Sequence, residues 1–435
     1  MGPEMLLQYM WEYRLWNETR ARTVDGTAVS VIDPGRRNNG SGPDFFNAKI
    51  NLGGHMWAGN VEIHNRASDW HRHGHDTDTA YDTVILHVVA ESDCDIRRPD
   101  GSVIPQMVMP YVPDFRERYL AMVQNTASKP PCAADLASTA PIYITQWITA
   151  LGFERINAKA DRVRLWLRQF NGDWQTTAFV TVARALGFGT NSDPFELLAR
   201  ITPLRHLLRH SNQPDLLAAA LYGQAGFLDK PLDDVEDPDD AEYMERLRRH
   251  YNFLLAKYNW STANRPAWRM ARMRPANFPH RRIAALAALL ADGFPFSRAF
   301  QSVTSLAQAR NLFHVSLPPY WTDHYDFGRR SSAMHGALST DSVNTLIINT
   351  VIPLMYAYAE AFADESISDR ALELLHALPA EFNYIVRDFT SAGLPVPDAF
   401  TSQALIQLHN EYCAPRKCIF CRLGRRYLAA RATPR

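Results

Sequence analysis

The chain has 435 residues, of which 46% are apolar and 21% are charged, and this composition is typical of a globular protein with a substantial core. Lysine plus arginine numbers 46, as does aspartate plus glutamate. A general electrostatic attraction to nucleic acid is therefore excluded, and such binding needs a local basic patch. Glu4, Glu12 and Arg14 interrupt the first apolar segment, which excludes the apolar stretch of a signal peptide. We therefore expect a cytoplasmic protein with no membrane association.

The predicted elements change character near residue 125. Residues 1–16 have apolar side chains at helical spacing, and segments 23–32 and 81–90 predict strands, the second of them central because it is rich in β-branched residues. From residue 143 onward the apolar period is helical. We therefore predict an α+β fold. Its parts are an α/β domain over 1–125, a connector over 126–142, a mostly helical domain over 143–405 and a cysteine-rich basic tail over 406–435.

Two acidic residues flank a hairpin predicted around residues 53–54. Asp44 precedes its first strand, and Glu62 lies near the end of its second. A two-residue loop pairs Asp44 with Ile63 and points Asp44 away from Glu62. A three-residue loop, or an equivalent bulge, shifts the register by one, so that Asp44 lies opposite His64 and on the face of Glu62. Adjacent carboxylates repel each other, so such a pair is typical of a cation site, and oxygen ligands suit magnesium or manganese.

The segments GPDF and VEIH, which contain Asp44, Glu62 and His64, resemble the motif of the PD-(D/E)xK (RecB-like) nuclease superfamily. The resemblance implies an N-terminal restriction-endonuclease-like mixed sheet with a helix. It also implies that these three residues are catalytic, that Asp44 and Glu62 bind Mg or Mn, and that His64 takes the lysine position. Glu12 or Glu4 on the first helix would match the accessory acid. His64 departs from the motif, because histidine is not a fixed cation near pH 7.

Longer segments resemble an uncharacterised bacterial family, domain of unknown function 2851. They occur in both halves of the chain and are NNGSGPDFFNAKI, WAGNVEIHNRASDWHRHGHD, YDTVILHVV, RPANFPHRRIA and SQALIQLHNEYCAPRKCIFCRLG. This resemblance covers more of the chain than the nuclease motif does, but it implies no activity.

A histidine-rich segment, SDWHRHGHD, follows the predicted hairpin. One interpretation is a zinc or iron site formed by His71, His73 and His75 with neighbouring aspartates. A second is a rim that contacts a substrate phosphate, and a third is a solvated connector that Trp70 anchors. His87 lies in an apolar strand, where we expect a hydrogen-bonded core histidine.

Three cysteines lie close together near the C-terminus: Cys413, Cys418 and Cys421. Three thiolates in one segment are typical of a zinc site or an iron–sulfur cluster. We expect Cys132, in the connector, to be the fourth ligand, with His409 as the local alternative. Some RecB-like nucleases have an iron–sulfur clasp of one remote and three C-terminal cysteines, which this set resembles in number. Here, however, the remote cysteine follows the predicted nuclease core.

Two basic segments are candidates for contact with nucleic-acid phosphates. The first, residues 265–282, interleaves arginines with aromatic residues that suit base stacking, and the second is the C-terminal tail. The predicted contacts are Arg265, Arg269, Arg272, Arg274, Arg425 and Arg426, of which the first three are expected to share one helical face. The alternative is a solvated face whose arginines pair with the acidic residues of 233–245.

Three hypotheses for the function follow from these patterns. The first is a metal-dependent nuclease that hydrolyses phosphodiester bonds in DNA or RNA. The second is a catalytically degenerate, metal-stapled protein that binds nucleic acid or acts as a scaffold. The third is a His/Asp zinc or iron hydrolase that acts on a small substrate.

Overall fold

The computed structural model describes residues 3–16, 18–38, 40–110, 115–125, 129–136, 138–231, 235–296, 300–332 and 335–430. The chain forms two compact units. The first comprises Met1–Trp147, Asp388–Leu394 and Leu408–Arg435, and the second comprises Ile148–Arg387 and Pro395–Gln407. The first unit contains a mixed sheet and the second is mostly helical, which confirms the predicted α+β class. The finer domain boundaries stay predictions.

The strands are β1 (Val29–Asp33), β2 (Arg36–Arg37), β3 (Phe45–Leu52), β4 (His55–Arg66), β5 (Val84–Glu91), β6 (Gln106–Val108), β7 (His324–Asp326) and β8 (Arg329–Arg330). The helices are α1 (Pro3–Tyr13), α2 (Asp69–Arg72), α3 (Phe115–Gln124), α4 (Ala133–Leu136), α5 (Pro141–Gln169), α6 (Trp174–Leu186), α7 (Ser192–Ile201), α8 (Leu204–Leu207), α9 (Pro214–Gln224), α10 (Pro238–Tyr258), α11 (Pro279–Ala291), α12 (Leu306–Asn311), α13 (Thr340–Asn349), α14 (Val351–Phe362), α15 (Glu365–Ala377), α16 (Tyr384–Ser391), α17 (Ala399–Leu408) and α18 (Arg422–Ala430).

The main sheet has the strand order β1-β3-β4-β5-β6, and β2 pairs with β3. Strands β1, β3 and β4 pair antiparallel, whereas β5 and β6 add in parallel. Strand β5 is buried along most of its length and has a neighbour on each side, so the prediction of a central strand here is confirmed. Its burial explains its composition, because a strand covered on both faces reads as a continuous apolar run.

The turn between β3 and β4 is the two-residue loop Gly53-Gly54, which pairs Leu52 with His55. Both glycines have positive φ, as a tight hairpin turn of this length requires. The register then shifts by one residue between Phe45 and Ala48. This bulge is located at Asn47, whose φ of 57° is left-handed and whose residue type tolerates that conformation.

The bulge decides which residues share the face of Asp44. Phe45 pairs with Val61, so Asp44 lies beside Glu62. The prediction that Asp44 lies opposite His64 is therefore wrong, because the bulge moves the register in the other direction from the longer loop. The alternative of an equivalent bulge is the one that the structure contains, and Asp44 and Glu62 share one face.

Helix α1 packs on the sheet through an apolar stripe. Leu6, Leu7, Met10 and Trp11 are at most 1% exposed, which confirms the predicted N-terminal amphipathic helix. Burial of each such side chain contributes about 1.5–3 kcal/mol. The polar side of the same helix faces the start of β3, where Asp44 lies.

The second unit has a large aromatic and aliphatic core, which includes Phe179, Tyr222 and Trp321. The stretch Thr340–Phe362 is long and apolar enough to cross a membrane by composition, but 61% of its most apolar window is buried inside this unit. Burial of this kind is typical of a core helix. Helix α10 begins at Pro238, and Asp237 caps it by accepting from the Asp239 N–H.

Candidate metal centre

The carboxylates of Asp44 and Glu62 lie against each other's backbone. The Asp44 N–H donates to Oε2 of Glu62 at 3.0 Å, and the Ile63 N–H donates to Oδ2 of Asp44 at 3.1 Å. From α1, Nε2 of Gln8 donates to Oδ1 of Asp44 at 2.9 Å. Glu62 is only 5% exposed, and Asp44 is half-buried. The sheet therefore holds two carboxylates in fixed orientations and largely out of water.

These acids repel each other. Burial, followed by the Glu62 carboxylate, raises the pKa of Asp44 to about 7. Burial raises the pKa of Glu62 to about 8, and Glu4 contributes to the increase. Burial and then Asp44 raise the pKa of Glu4. In the described part of the chain, no lysine or arginine forms an ion pair with these three acids, so they form a set that a bound cation would stabilise.

Imidazole nitrogens converge on the other oxygen of Glu62. Nε2 of His64 and Nε2 of His75 each lie 3.3 Å from Oε1 of Glu62, and Nε2 of His64 lies 3.1 Å from Nδ1 of His73. One ring nitrogen from each histidine lies within 4.8 Å of the other two. A tetrahedral zinc ion at roughly 2.0–2.1 Å from its ligands separates the ligand atoms by roughly 3.3 Å. The spacings of His64 and His75 to Glu62, and of His64 to His73, therefore match ligands that share one ion. The three histidines form the mutually close group, and with Glu62 beside two of them we call these four residues the His₃Glu set.

His87 supports this set from inside the sheet. Its Nε2 lies 2.9 Å from Nδ1 of His64, and the residue is fully buried, so the prediction of a hydrogen-bonded core histidine is confirmed. Its Nδ1 is buried and has no hydrogen-bond partner among the residues that the structure describes. If Nδ1 of His64 donates to His87, Nε2 of His64 keeps its lone pair free to bind a metal ion. His87 then acts as the outer-shell partner that fixes the tautomer of a metal ligand.

Burial favours the neutral form of His64 and His75. Burial, with further contributions from His87, His73 and His75, lowers the pKa of His64 to about 2. Burial also lowers the pKa of His75. Neutral imidazole is the form that binds metal. His75 stacks on Tyr81 with ring centroids 3.7 Å apart, whereas His73 is exposed, so the set opens to solvent on the His73 side.

The sequence did not single out this trio. His71, predicted with His73 and His75, instead contacts Asp76 at 2.8 Å and is half-exposed. Its place is taken by His64 from β4. The sequence does place two of the three histidines, His73 and His75, on either side of a glycine. Gly74 has a left-handed φ of 76°, which allows a tight turn between them.

Glu12, predicted as a catalytic acid, lies outside the site. It pairs with Nη1 of Arg37 at 3.2 Å, and Nη2 of Arg37 donates to Oε1 of Gln8 at 2.9 Å. Because Gln8 in turn donates to Asp44, Glu12 orients Asp44 through two intermediates. The acid of α1 that acts directly on Asp44 and Glu62 is Glu4.

The four predicted cysteine ligands lie near one another. Burial raises the pKa of Cys413, and so do, in decreasing order, Cys421, Cys132 and Cys418. Burial and Cys421 raise the pKa of Cys418 to about 11. Burial, followed by Asp93, Asp95 and Asp76, raises the pKa of Cys94, so acids rather than the four predicted ligands are the charged groups that act on this thiol. Within the described ranges, no three of the cysteine sulfurs lie mutually within 4.8 Å.

A family model described as "Protein of unknown function (DUF2851)" matches residues 4–384. The chain belongs to this family. The search of curated proteins and the search of solved structures each find no match. The DUF2851 match includes Glu4, Asp44, Glu62 and the three histidines of the His₃Glu set, as well as Cys132, and it ends before the C-terminal cysteines.

The predicted arginine contacts in this DUF2851 chain lie in different environments. The prediction that Arg265, Arg269 and Arg272 share a helical face is wrong, because residues 260–274 are irregular in the structure. Pro266 disfavours a helix here, and Arg272 has a left-handed φ of 61°. Arg265 forms an ion pair with Asp229, which lies outside the acidic segment proposed as an alternative partner.

The remaining arginines are more accessible. Arg269 and Arg274 are exposed. In the tail, Arg425 lies over the ring of Tyr13 at 4.4 Å and Arg426 over that of Tyr143 at 3.7 Å, so aromatic rings hold both guanidinium groups. Residues 233 and 234, part of the alternative acidic segment, lie outside the described residues.

Proposed function

We propose that this protein is a metal-dependent nuclease that hydrolyses phosphodiester bonds in DNA or RNA. The observation that supports this proposal most is the convergence of Asp44 and Glu62, with each carboxylate accepting from the backbone of the other strand. Their donor oxygens fit a hard divalent cation, Mg or Mn. When bound, such a cation polarises a phosphoryl oxygen and lowers the pKa of a bound water.

The order of elements supports the resemblance to PD-(D/E)xK nucleases. A helix precedes three antiparallel strands, a short helix follows, and the next strand adds in parallel. Asp44 begins the second of these main strands, β3, and Glu62 lies on the third, β4. We therefore infer a restriction-endonuclease-like first unit, in which Glu4 rather than Glu12 takes the place of the accessory acid.

The residues of this chain have separate roles in the proposal. Gln8 and the Ile63 N–H fix the carboxylate of Asp44. Its remaining lone pairs would then be available to a bound divalent cation. Burial lowers the pKa of His64, so this residue does not supply the fixed charge of a lysine. Instead, its ring is held by His87 and is suited to orient a water by a hydrogen bond. The exposed arginines Arg269 and Arg274 are proposed contacts for the phosphate backbone.

A second candidate function is favoured by the His₃Glu set. Three imidazoles and a carboxylate are ligands that suit zinc or iron, and such an ion would serve a hydrolase acting on a small phosphoester or ester. Glu62 contributes Oε1 to this set and Oε2 to the contact with Asp44. The two candidates therefore share Glu62 and differ in their need for Asp44 and for His73.

We also propose that Cys132, Cys413, Cys418 and Cys421 bind zinc or an iron–sulfur cluster. Four sulfurs on one zinc ion lie roughly 3.8 Å apart, because each Zn–S bond is roughly 2.3 Å long. The wider spacing among these cysteines favours the larger cluster. Gly424 permits the close packing here, because a Cβ at this position would lie 2.3 Å from the carbonyl oxygen of Cys418.

The test is cleavage of single- and double-stranded DNA and RNA by the full-length protein with Mg²⁺, Mn²⁺ or Zn²⁺. We expect cleavage that Asp44→Asn and Glu62→Gln each reduce by at least about 100-fold. His71→Asn is the control, since this residue lies beside the site but outside both ligand sets. Equal cleavage by all variants contradicts the nuclease proposal. Turnover of a small phosphoester that needs His73 but not Asp44 supports the second candidate.

A further inference from the structure

A polar cavity of about 520 Å³ opens in the second unit between α5, α6 and α13. This volume is within the range of small-molecule sites, roughly 300–1,000 Å³. Three cations of α5, namely Arg155, Lys159 and Arg162, line it, and Arg184 of α6 faces them. The three α5 positions are four and three residues apart, so they lie on one face of the helix and extend roughly 10 Å along its axis.

Lys159 is the most unusual of these cations. Its Nζ donates to Oδ1 of Asn349 at 2.9 Å, and Nδ2 of Asn349 donates to the Thr345 carbonyl, which fixes the amide with its oxygen toward the lysine. This partner is neutral. The residue is partly exposed and lines the cavity, and burial followed by Arg155 lowers the pKa of its ammonium group to about 7.

The carboxylate that lines this cavity does not neutralise the lysine by contact. Glu381 accepts from Nε2 of Gln403, and Oε1 of Gln403 accepts from Nε of Arg155 at 3.2 Å. Arg162 is near Arg184, which lowers its pKa after burial does, while Arg184 itself pairs with Glu196 at 2.6 Å. Among the described residues, Lys159 and Arg162 form no ion pair, although the whole chain has no net charge.

A cluster of like charges in a concave site costs free energy unless a ligand of opposite charge occupies it. Lysine and arginine at this spacing suit a phosphate group, to which arginine donates in a bidentate way and lysine as a point charge. Trp166 and Phe188 also line the cavity, and their aromatic surface suits the organic part of the ligand rather than its charge.

We propose that this cavity binds a small phosphorylated molecule of about the size of a mononucleotide, with the phosphate between Lys159 and Arg162. This site is independent of Asp44 and Glu62. It adds to the nuclease proposal a ligand site in the helical unit, and either proposal can fail without the other.

The test is isothermal titration of the full-length protein with inorganic phosphate, adenosine 5′-monophosphate and adenosine. We expect the monophosphate to bind more tightly than inorganic phosphate, and adenosine not to bind. Lys159→Gln and Arg162→Gln should each weaken binding of the monophosphate at least about tenfold. The matched control is Arg168→Gln, an exposed arginine of the same helix outside the cavity, which should bind as the unmodified protein does.

Three results would overturn the proposal: no binding of either phosphate probe at millimolar concentration, equal binding of adenosine and its monophosphate, or equal weakening by the control variant. Binding of a single-stranded oligonucleotide without binding of the monophosphate would also overturn it, in favour of a nucleic-acid contact. Unfolding of each variant without ligand is measured in parallel. If Lys159→Gln does not fold, Arg162→Gln decides alone, because Arg162 is exposed.

Discussion

Substitution at Asn47 tests how the hairpin positions the metal centre. Asn47→Val places a β-branched residue at a φ of 57°, and a left-handed residue other than glycine or asparagine costs about 1–2 kcal/mol. The chain can avoid this strain only by removing the bulge. That slip would take Phe45, which is fully buried, out of the core at a cost of about 1.5–3 kcal/mol. These two costs overlap, but the slip would also break the hydrogen bonds from the Asp44 and Ile63 N–H groups to the opposite carboxylates, so we expect the bulge to persist.

Asn47→Val should therefore lower the free energy of unfolding by about 1–2 kcal/mol and leave the affinity for Mn²⁺ nearly unchanged. Asn47→Gly is the matched control, since glycine adopts the left-handed conformation freely, and its stability should be within about 0.5 kcal/mol of the unmodified protein. Urea unfolding and calorimetric titration with Mn²⁺ measure the two quantities. Equal stability of the valine and glycine variants would refute the left-handed bulge, and loss of Mn²⁺ binding by the valine variant would refute its persistence.

Three further predictions concern other parts of the chain. Cys421→Ser should lower the zinc or iron content of the purified protein, whereas Cys94→Ser should not, and equal metal content in both would contradict the clasp. Gly223→Ala should destabilise the protein by about 1–3 kcal/mol, because the new Cβ would lie 2.1 Å from the ring of Tyr251; an unchanged unfolding midpoint would show that the ring moves freely. Affinity of the cavity for sulfate, which does not titrate near neutral pH, should fall as pH rises above about 7, because Lys159 loses its proton there. Arg155 and Glu381 are the charged groups that act on this lysine, and a pH dependence that remains in Lys159→Gln would assign it elsewhere.

The first helix and the main strands followed from apolar period and β-branched composition. The choice between Glu4 and Glu12 could not be made from the sequence, because Glu4, Gln8 and Glu12 follow one another at intervals of four residues and lie on one face of α1. Only the position of the helix along the sheet brings Glu4, rather than Glu12, near Asp44. Likewise, the register of the hairpin depends on one asparagine, which the alternation of apolar and polar residues does not reveal.

Helical spacing was misleading for Arg265, Arg269 and Arg272. The segment contains Pro266 and ends before Pro275. Arg265 pairs with Asp229, whereas Arg269 and Arg274 are exposed, so these arginines do not form one stripe. In contrast, the basic face of α5 was not singled out, because Arg155, Lys159 and Arg162 read as an ordinary solvated helix surface. Their role depends on α6 and α13, which close the cavity from distant parts of the chain.

We propose that Glu62 joins the carboxylate and imidazole ligands in one metal centre, and calorimetric titration of the full-length protein with Mn²⁺ can decide whether it does. Thiolates prefer softer ions, so Mn²⁺ reports on the oxygen and nitrogen ligands rather than on the cysteines. We expect saturable binding that Glu62→Gln weakens at least about tenfold and that His71→Asn leaves intact. Binding of equal affinity and stoichiometry by Glu62→Gln would contradict it.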